Sequence, residues 1–234
     1  MPDPAVARSW DIEYQAGRYL DEPPISFVGD IQRAVAARGL SASTGLYIGC
    51  GNGRNFLPLV AGGLDIVGLD VSATALAQLA QRAPERRSRL VCGDLSALPP
   101  GACYSFVIAI QVMQHGNEET THHEMKRALE RVAPGGLFCL RVNAVGTELE
   151  HPHRIVERGI DGRFTVRYSA GPKSGLDIHF FSGPELLELL DDEFAPVLPL
   201  RRSVTRRTPP KQGEWVQWEG IWSRESPKTR PPTP

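Results

Sequence analysis

Residues 45–55 read Gly45-Leu46-Tyr47-Ile48-Gly49-Cys50-Gly51-Asn52-Gly53-Arg54-Asn55. Aliphatic and β-branched residues run straight into three alternating glycines, and a helix-compatible segment follows. A strand that turns tightly into a helix through glycines brings bare backbone against a ligand, because a Cβ would obstruct both the turn and the approach. The trio is weak evidence alone. A dinucleotide-binding loop has the spacing GxGxxG, whereas this one is GxGxG, followed by Arg54 and Asn55.

Working outward, strand and helix signals alternate five times. Gly45–Ile48 is the first strand, and Leu64–Leu69 is an apolar strand ending at Asp70. Ser72 is placed to cap a helix over Ala73–Arg82 whose Leu76, Leu79 and Ala80 form one apolar stripe. Ser88–Cys92 is the third strand and Phe106–Ile110 the fourth, too continuously apolar to be half-exposed. A helix over Glu118–Val132 is expected to stop at Pro134-Gly135-Gly136, before a fifth strand at Leu137–Val142. Strands buried on both faces and separated by helices indicate an α/β chain with a mostly parallel sheet, a Rossmann-like three-layer sandwich.

Before Gly39 the sequence reads as helical, with Trp10, Tyr14 and Tyr19 ahead of Pro23-Pro24, and Val28, Ile31 and Val35 on one face beyond them. After Asn143 the alternation breaks. Residues 144–181 suggest an inserted loop with a hairpin around Phe164–Tyr168. Pro184–Leu190 is a short helix after Ser182-Gly183, and two more strands are expected near Phe194–Leu200 and Trp215–Trp222. The expected organisation is one domain over 1–224, with an N-terminal helical cap at 1–40, the 144–181 insertion over a ligand site, and a disordered tail at 225–234.

Three further features lie in register with the glycines. Asp70 ends the second strand, 21 positions after Gly49. A carboxylate there can accept both ribose hydroxyls of a nucleoside lying across the strand ends. Gly93-Asp94-Leu95 ends the third strand, and Val132-Ala133-Pro134-Gly135-Gly136 precedes the fifth. Together with the glycine loop, these features resemble class I S-adenosylmethionine-dependent methyltransferases over about residues 40–143. Within that superfamily, Gly49–Asn55 and the Phe181–Leu187 segment are most similar to the tellurite-resistance and thiopurine methyltransferase branch, a small-molecule group.

The resemblance implies a seven-stranded sheet with the last strand antiparallel, and S-adenosyl-L-methionine as cofactor. It implies a nucleoside held by Asp70, Val71, Asp94 and Leu95, and a methionine moiety over Gly49, Cys50, Gly51, Asn52, Gly53 and Asn55. Gln111 and Val112 are expected against the cofactor, with His115 near the methyl acceptor. Tyr47 departs from the family, which usually has Asp or Glu there, near the cofactor's ammonium group. Backbone carbonyls of the loop, helped by Tyr14, Arg18 and Tyr19, are expected to take over.

The reaction implied is an in-line displacement at carbon, in which alignment and exclusion of water do most of the work. A base is needed only if the acceptor must lose a proton, and His115 is the candidate. The bland alternative makes it a packing histidine. Tyr19, Asn143, His151, His153, Tyr168 and His179 are the candidate acceptor contacts, mostly because they lie in or beside the insertion. His122 and His123 read as surface residues, and no metal site is expected, since no carboxylate or cysteine completes a recognisable set with the insertion's histidines.

Composition narrows the partners. The chain has 234 residues, 41% of them hydrophobic, with 26 basic against 27 acidic, so no global field draws it to nucleic acid or membrane. Residues 201–234 carry eight basic and three acidic side chains, among them Arg201, Arg202, Arg206 and Arg207, a thin basis for RNA binding. Cys50, Cys92, Cys103 and Cys139 lack CxxC spacing and read as small hydrophobes in a reducing compartment. The first fifteen residues do not read as a signal peptide and no apolar run reaches transmembrane length, so a cytoplasmic location is expected. The leading expectation is methyl transfer to a small molecule. Alternatives are a non-catalytic S-adenosylmethionine-binding or partner-binding module and, against the GxGxG spacing, a nicotinamide oxidoreductase.

Overall fold

A computed structural model describes residues 4–191, 193–209 and 212–225. The elements in chain order are α1 (Pro4–Gln15), α2 (Phe27–Ala37), β1 (Thr44–Ile48), α3 (Phe56–Ala61), β2 (Asp65–Asp70), α4 (Ala73–Arg82), β3 (Leu90–Cys92), β4 (Tyr104–Ile110), α5 (Glu118–Glu130) and β5 (Val132–Asn143). There follow β6 (His153–Arg158), β7 (Phe164–Tyr168), β8 (Asp177–Phe180), α6 (Gly183–Leu190), β9 (Phe194–Arg206) and β10 (Glu214–Arg224). The expected tail beyond Glu225 lies outside the described residues.

Seven strands form one sheet in the order β3-β2-β1-β4-β5-β10-β9. The pairs among β1 to β5 are parallel, and β10 runs antiparallel to both β5 and β9. The last strand is therefore antiparallel, as the resemblance implied, and it sits inside the sheet, one place from the edge. Side chains two apart share a face. Leu46 and Ile48 of β1 thus pack with α5 and α6 through Met125, Leu129, Leu186 and Leu190. Tyr47, between them, packs on the other face with α2, α3 and α4 through Ile31, Phe56, Leu59 and Leu79. Burial on both faces is what the continuous apolar strands required.

Caps fix where the helices begin. The Ser72 hydroxyl accepts from the Ala75 N–H at 3.0 Å and starts α4 as expected. Ser182 and Glu185 form a reciprocal capping box at α6. Two boundaries differ from the sequence expectation. A 3₁₀ turn over Pro84–Arg89 shortens the third strand to three residues. The fifth strand begins at Val132, and its register against β4 shifts between Tyr104 and Phe106, so Pro134–Gly136 forms an irregularity within the strand after α5 has already stopped at Glu130. Proline has no N–H for a ladder, which suits such a break.

The expected hairpin in the insertion is a three-stranded antiparallel sheet, β6-β7-β8, with its own small core of Val166, Ile178 and Phe180. It joins the main body at the strand ends. His179 donates its N–H to the Gln114 carbonyl at 2.9 Å, Gly116 donates to the Asp177 carbonyl at 3.0 Å, and His115 bridges to Ile178. On the opposite side, α1 crosses the glycine loop and the start of α4. The two additions face each other across the carboxyl ends of β1, β2 and β4, where ligands bind in sheets of this kind.

Candidate functional site

Between α1 and the strand ends lies a cavity of about 350 Å³. Its floor is the glycine loop. Gly51 has φ +56°, and a Cβ there would collide with the Tyr14 hydroxyl; Gly49 has φ +72°, and a Cβ there would sit 2.7 Å from Val112 Cγ2. Only glycine gives both the left-handed backbone and this closeness. Asp70 closes one wall. It accepts the Gly51 N–H on Oδ2 at 2.7 Å and the Ser72 N–H on Oδ1 at 2.8 Å, which fixes its orientation. Burial raises its pKa to about 6, against those backbone donors. A carboxylate has about four acceptor sites, so capacity remains for a pair of hydroxyls.

Asp94 lies at the far wall. Its Oδ1 accepts both the N–H and the hydroxyl of Ser96, and these bonds outweigh partial burial to hold its pKa below the ordinary value. Val71 and Leu95 line the same space. Thirteen of the fifteen residues expected at the cofactor meet here: Tyr14, Tyr47, Gly49, Cys50, Gly51, Asn52, Asn55, Asp70, Val71, Asp94, Leu95, Gln111 and Val112. Two do not. Gly53 faces Leu79 and Leu57, and Arg18 turns away to Glu13 at 3.4 Å and to the Tyr19 hydroxyl at 3.3 Å.

Tyr47 is 2% exposed, beside Phe56 at 6.4 Å between ring centroids, and its hydroxyl shares a hydrogen bond with the Asn55 side chain. Burial pushes its phenol well above the usual range, so it stays neutral. Asn55 in turn accepts the Ile25 N–H at 3.1 Å. Tyr47 thus trades a charge at the loop for a packed link between β1 and the segment before α2.

Several residues that hold the site had no sequence signal. Asp11 accepts the Ser72 hydroxyl at 2.6 Å and the Thr74 N–H at 3.0 Å; Gln78 donates to the Tyr14 carbonyl at 2.9 Å. Asn52 donates to the Arg18 carbonyl at 2.9 Å and Arg82 donates to the Asn52 carbonyl at 2.8 Å. These bonds lace α1, the loop and α4 together. Trp10, from the N-terminal aromatic group, lines the cavity beside Tyr14.

A second cavity of about 370 Å³ adjoins the first, and Trp10, Tyr19, Gln111 and His115 line both. Gln111, at the end of β4, has φ +57°, an uncommon conformation for a non-glycine residue and one that clusters at functional sites. His115 packs edge-on to Trp10 at 5.4 Å, and its ring nitrogens make no well-aligned hydrogen bond among the described residues, only a weak contact with the Gln111 backbone. Burial, then the Lys173 ammonium, lowers its pKa to about 3. The imidazole is therefore neutral at physiological pH and only weakly basic, and that low basicity disfavours the expected base role in this state.

Of the expected acceptor contacts, Tyr19, Asn143, His151 and Tyr168 line the second cavity. His153 and His179 do not. The His153 ring is turned to the His151 carbonyl at 2.9 Å. His179 is fully buried: its Nε2 donates to Glu185 Oε1 at 2.8 Å and its Nδ1 meets the Thr165 hydroxyl at 2.8 Å. His122, expected at the surface, is half-buried and donates to the same Glu185 oxygen at 2.6 Å. The ligand atoms of His122, His179 and Glu185 lie within 4.8 Å of one another, a cluster the sequence did not reveal. The Arg163 guanidinium, 3.9 Å from that oxygen, already supplies positive charge there. The cluster ties α5, β8 and α6 together.

The four arginines near the end of the chain all have partners within the protein. Arg201 pairs with Glu219 at 3.0 Å and with Asp30, Arg202 donates to the Val145 carbonyl at 3.3 Å, Arg206 pairs with Glu214 at 3.2 Å, and Arg207 with Glu150 at 3.8 Å. Cys50 and Cys139 are buried free thiols; Cys92 and Cys103 are exposed. Among the described residues no helix is long and apolar enough to cross a membrane.

Residues 46–136 match the family model described as a methyltransferase domain. No curated protein sequence matches the chain. Solved structures do, at identities that speak for the fold. The 1,6-didemethyltoxoflavin-N1-methyltransferase of Burkholderia thailandensis, solved with 1,6-didemethyltoxoflavin and S-adenosylhomocysteine, aligns with TM-score 0.59 at 20% identity over 97% of this chain and 92% of its own. TehB of Haemophilus influenzae aligns with TM-score 0.59 at 19% identity over 92% of this chain and 67% of its own. The sugar N-methyltransferase KedS8 of a Streptoalloteichus species gives 0.58 at 18% identity over 93% of each chain. The fold is the Rossmann-like fold of these methyltransferases, and the resemblance drawn from the glycine loop, Asp70, Asp94 and the fifth strand holds.

Proposed function

We propose that the methyltransferase domain matched at residues 46–136, an S-adenosylmethionine-dependent transferase, methylates a small molecule bound in the second cavity. The observation that carries this reading is the shared wall. Gln111 and His115 line both cavities, so a ligand in one can meet a ligand in the other there. Relatives of this fold that act on a toxoflavin precursor and on sugars support the small-molecule reading.

The first cavity fits the cofactor on its own features: a glycine cradle that a Cβ would fill, and an oriented carboxylate with acceptor capacity left. Asp70 would hold the ribose, Asp94 the adenine edge, and Gly49–Gly51 the amino-acid end. When bound, S-adenosylmethionine supplies an electrophilic methyl group on a cationic sulfur. The protein's part is alignment and dryness. Tyr14 and Trp10 roof the loop, α1 is laced to α4 by Asp11 and Gln78, and the strained Gln111 backbone holds the floor of the passage. His115, neutral and held only by a weak contact with the Gln111 backbone, has one donor and one acceptor nitrogen to position an acceptor.

Calorimetric titration with S-adenosylhomocysteine, followed by a transfer assay with labelled cofactor across small-molecule acceptors, tests the reading. Micromolar binding and labelled small-molecule product are expected. Absence of binding at millimolar ligand overturns it. Binding with no transfer to any acceptor would favour the non-catalytic module.

A further inference from the structure

The charges and ring faces of the second cavity select a chemical class. Five charged side chains line it: Glu13, Arg18, Glu150, Lys173 and Arg207. Glu13 is ion-paired to Lys173 and lies 3.4 Å from Arg18, and Glu150 pairs with Arg207 at 3.8 Å. Among these lining residues both carboxylates thus have cationic neighbours and one positive charge is left over, on the Lys173–Arg18 side, with Glu22 outside the cavity also acting on Arg18. A positively charged ligand would find no unshared carboxylate among these residues, whereas an anion would complete the pairing.

The walls are largely aromatic. Trp10, Tyr168, Phe180 and Trp215 line the cavity, and the ammonium of Lys173 stands 3.2 Å from the Trp10 ring centroid. The polar groups between them are sparse and oriented. Trp215 donates its indole N–H to Asn143 Oδ1 at 3.0 Å, which occupies that oxygen and leaves the amide NH₂ of this cavity-lining residue as a donor. Gln114 is 5% exposed and its Oε1 has no partner among the described residues, and the His115 nitrogens have no well-aligned one. A ring edge bearing one donor and one acceptor would satisfy these groups, which otherwise remain buried without a well-aligned bond.

We propose that the second cavity takes a planar aromatic monoanion, a weakly acidic phenol or N–H heterocycle in its deprotonated form, with the negative charge toward Lys173 and Arg18. Such an acceptor arrives with its nucleophilic lone pair already free, so the neutral His115 has only to orient it. An aminosugar, cationic and non-planar, matches neither the charge nor the walls.

The inference rests on the second cavity being the acceptor site. Its test is a calorimetric ranking, at neutral pH, of 2,4-dinitrophenol (there the phenolate), its neutral methyl ether 2,4-dinitroanisole, benzamidine and glucosamine, with and without S-adenosylhomocysteine. The phenolate is expected to bind at least about tenfold more tightly than its neutral ether, with neither cation binding measurably. Lys173→Gln should remove that preference and Lys173→Arg should keep it. Arg18→Gln provides a second reading if the first variant is poorly folded, and the ranking on the native chain decides alone if both are. Tighter binding of benzamidine or glucosamine, or an anion preference unchanged in Lys173→Gln, overturns the inference. A chain that ranks the probes as expected but does not bind S-adenosylhomocysteine leaves this inference standing and removes the cofactor reading.

Discussion

Gly51 donates its backbone N–H to Asp70 Oδ2 at 2.7 Å, joining the glycine loop of β1 to the end of β2. The carboxylate pays for its position with burial, which raises its pKa to about 6. Folding therefore binds a proton more readily than the unfolded chain between about 3.8 and 6, and Asp70 lowers stability as pH rises through that window. On the proposed reading cofactor binding has the opposite sign, because the ionised form would accept the ribose hydroxyls. Affinity for S-adenosylhomocysteine should fall about tenfold per pH unit below about 6. Titrations across pH should show the dependence, and Asp70→Asn should weaken binding at neutral pH and flatten the profile.

Gly51 and Tyr14 are coupled sterically. Gly51→Ala puts a Cβ against the Tyr14 hydroxyl at a φ of +56°. The left-handed backbone contributes a loss of about 1–2 kcal/mol, and displacement of α1 adds to it. Tyr14→Phe removes the nearest atom and should restore part of the loss. Urea unfolding of the two single variants and the double variant measures the coupling; strict additivity would contradict the contact.

Tyr47 supports the fold and carries no charge. Tyr47→Phe should lose the bond to Asn55, about 1 kcal/mol, and leave S-adenosylhomocysteine affinity within about threefold. Tyr47→Glu, which brings in the charge usual in the family, should destabilise by several kcal/mol, about 3 or more, because it is buried among Phe56 and Ile31. A Tyr47→Glu chain that is stable and binds more tightly would show the loop has room for the charge after all.

His115 should not titrate near neutrality. Its folded pKa of about 3 lies below the usual 6.5, so it contributes stability at neutral pH that is lost as pH falls through 6.5 toward 3. For turnover, kcat/KM profiles of His115→Asn and the unaltered chain should run parallel between about pH 5 and 9. A limb near 6.5 that disappears in the variant would restore the base role.

Glu185 ties three elements together, so Glu185→Ala should strip His122, His179 and the Ser182 N–H of their acceptor at once. A loss of about 3 kcal/mol is expected. Limited proteolysis should then cut within β6–β8 first, since the His179–Glu185 bond is one of the ties, beside Gly116–Asp177 and Arg163–Glu118, that hold that sheet to the main body. Cutting elsewhere would show that the sheet is held by other contacts.

What the sequence revealed, and what it hid, follows the range of the interactions. The glycine loop, Asp70, Asp94 and the Ser72 cap act within a few residues of their own strand or helix, and local pattern exposes them. Pro134-Gly135-Gly136 looks alike as a helix stop and as the irregular start of β5, and only pairing with Tyr104 and Phe106 distinguishes the two. β6 escaped detection because nearly all its residues are exposed and no period marks them. His179 lies near the cavity histidines in sequence, while its partners Thr165 and Glu185 are set by the folding of three elements together. Lys173 and Glu13, 160 positions apart, carry no joint signal at all.

Because β10 lies between β5 and β9, the sheet lacks an interior strand until residues 214–224 have left the ribosome. Until then β5 exposes an unpaired edge, β9 has no neighbour, and Trp222, 2% exposed in the finished core, is missing from it. The half that floors the first cavity, from β1 to β4, is complete in the nascent chain well before its support is. Synthesis thus leaves an interval in which a nearly finished sheet presents a sticky border, the moment at which a chaperone has most to protect.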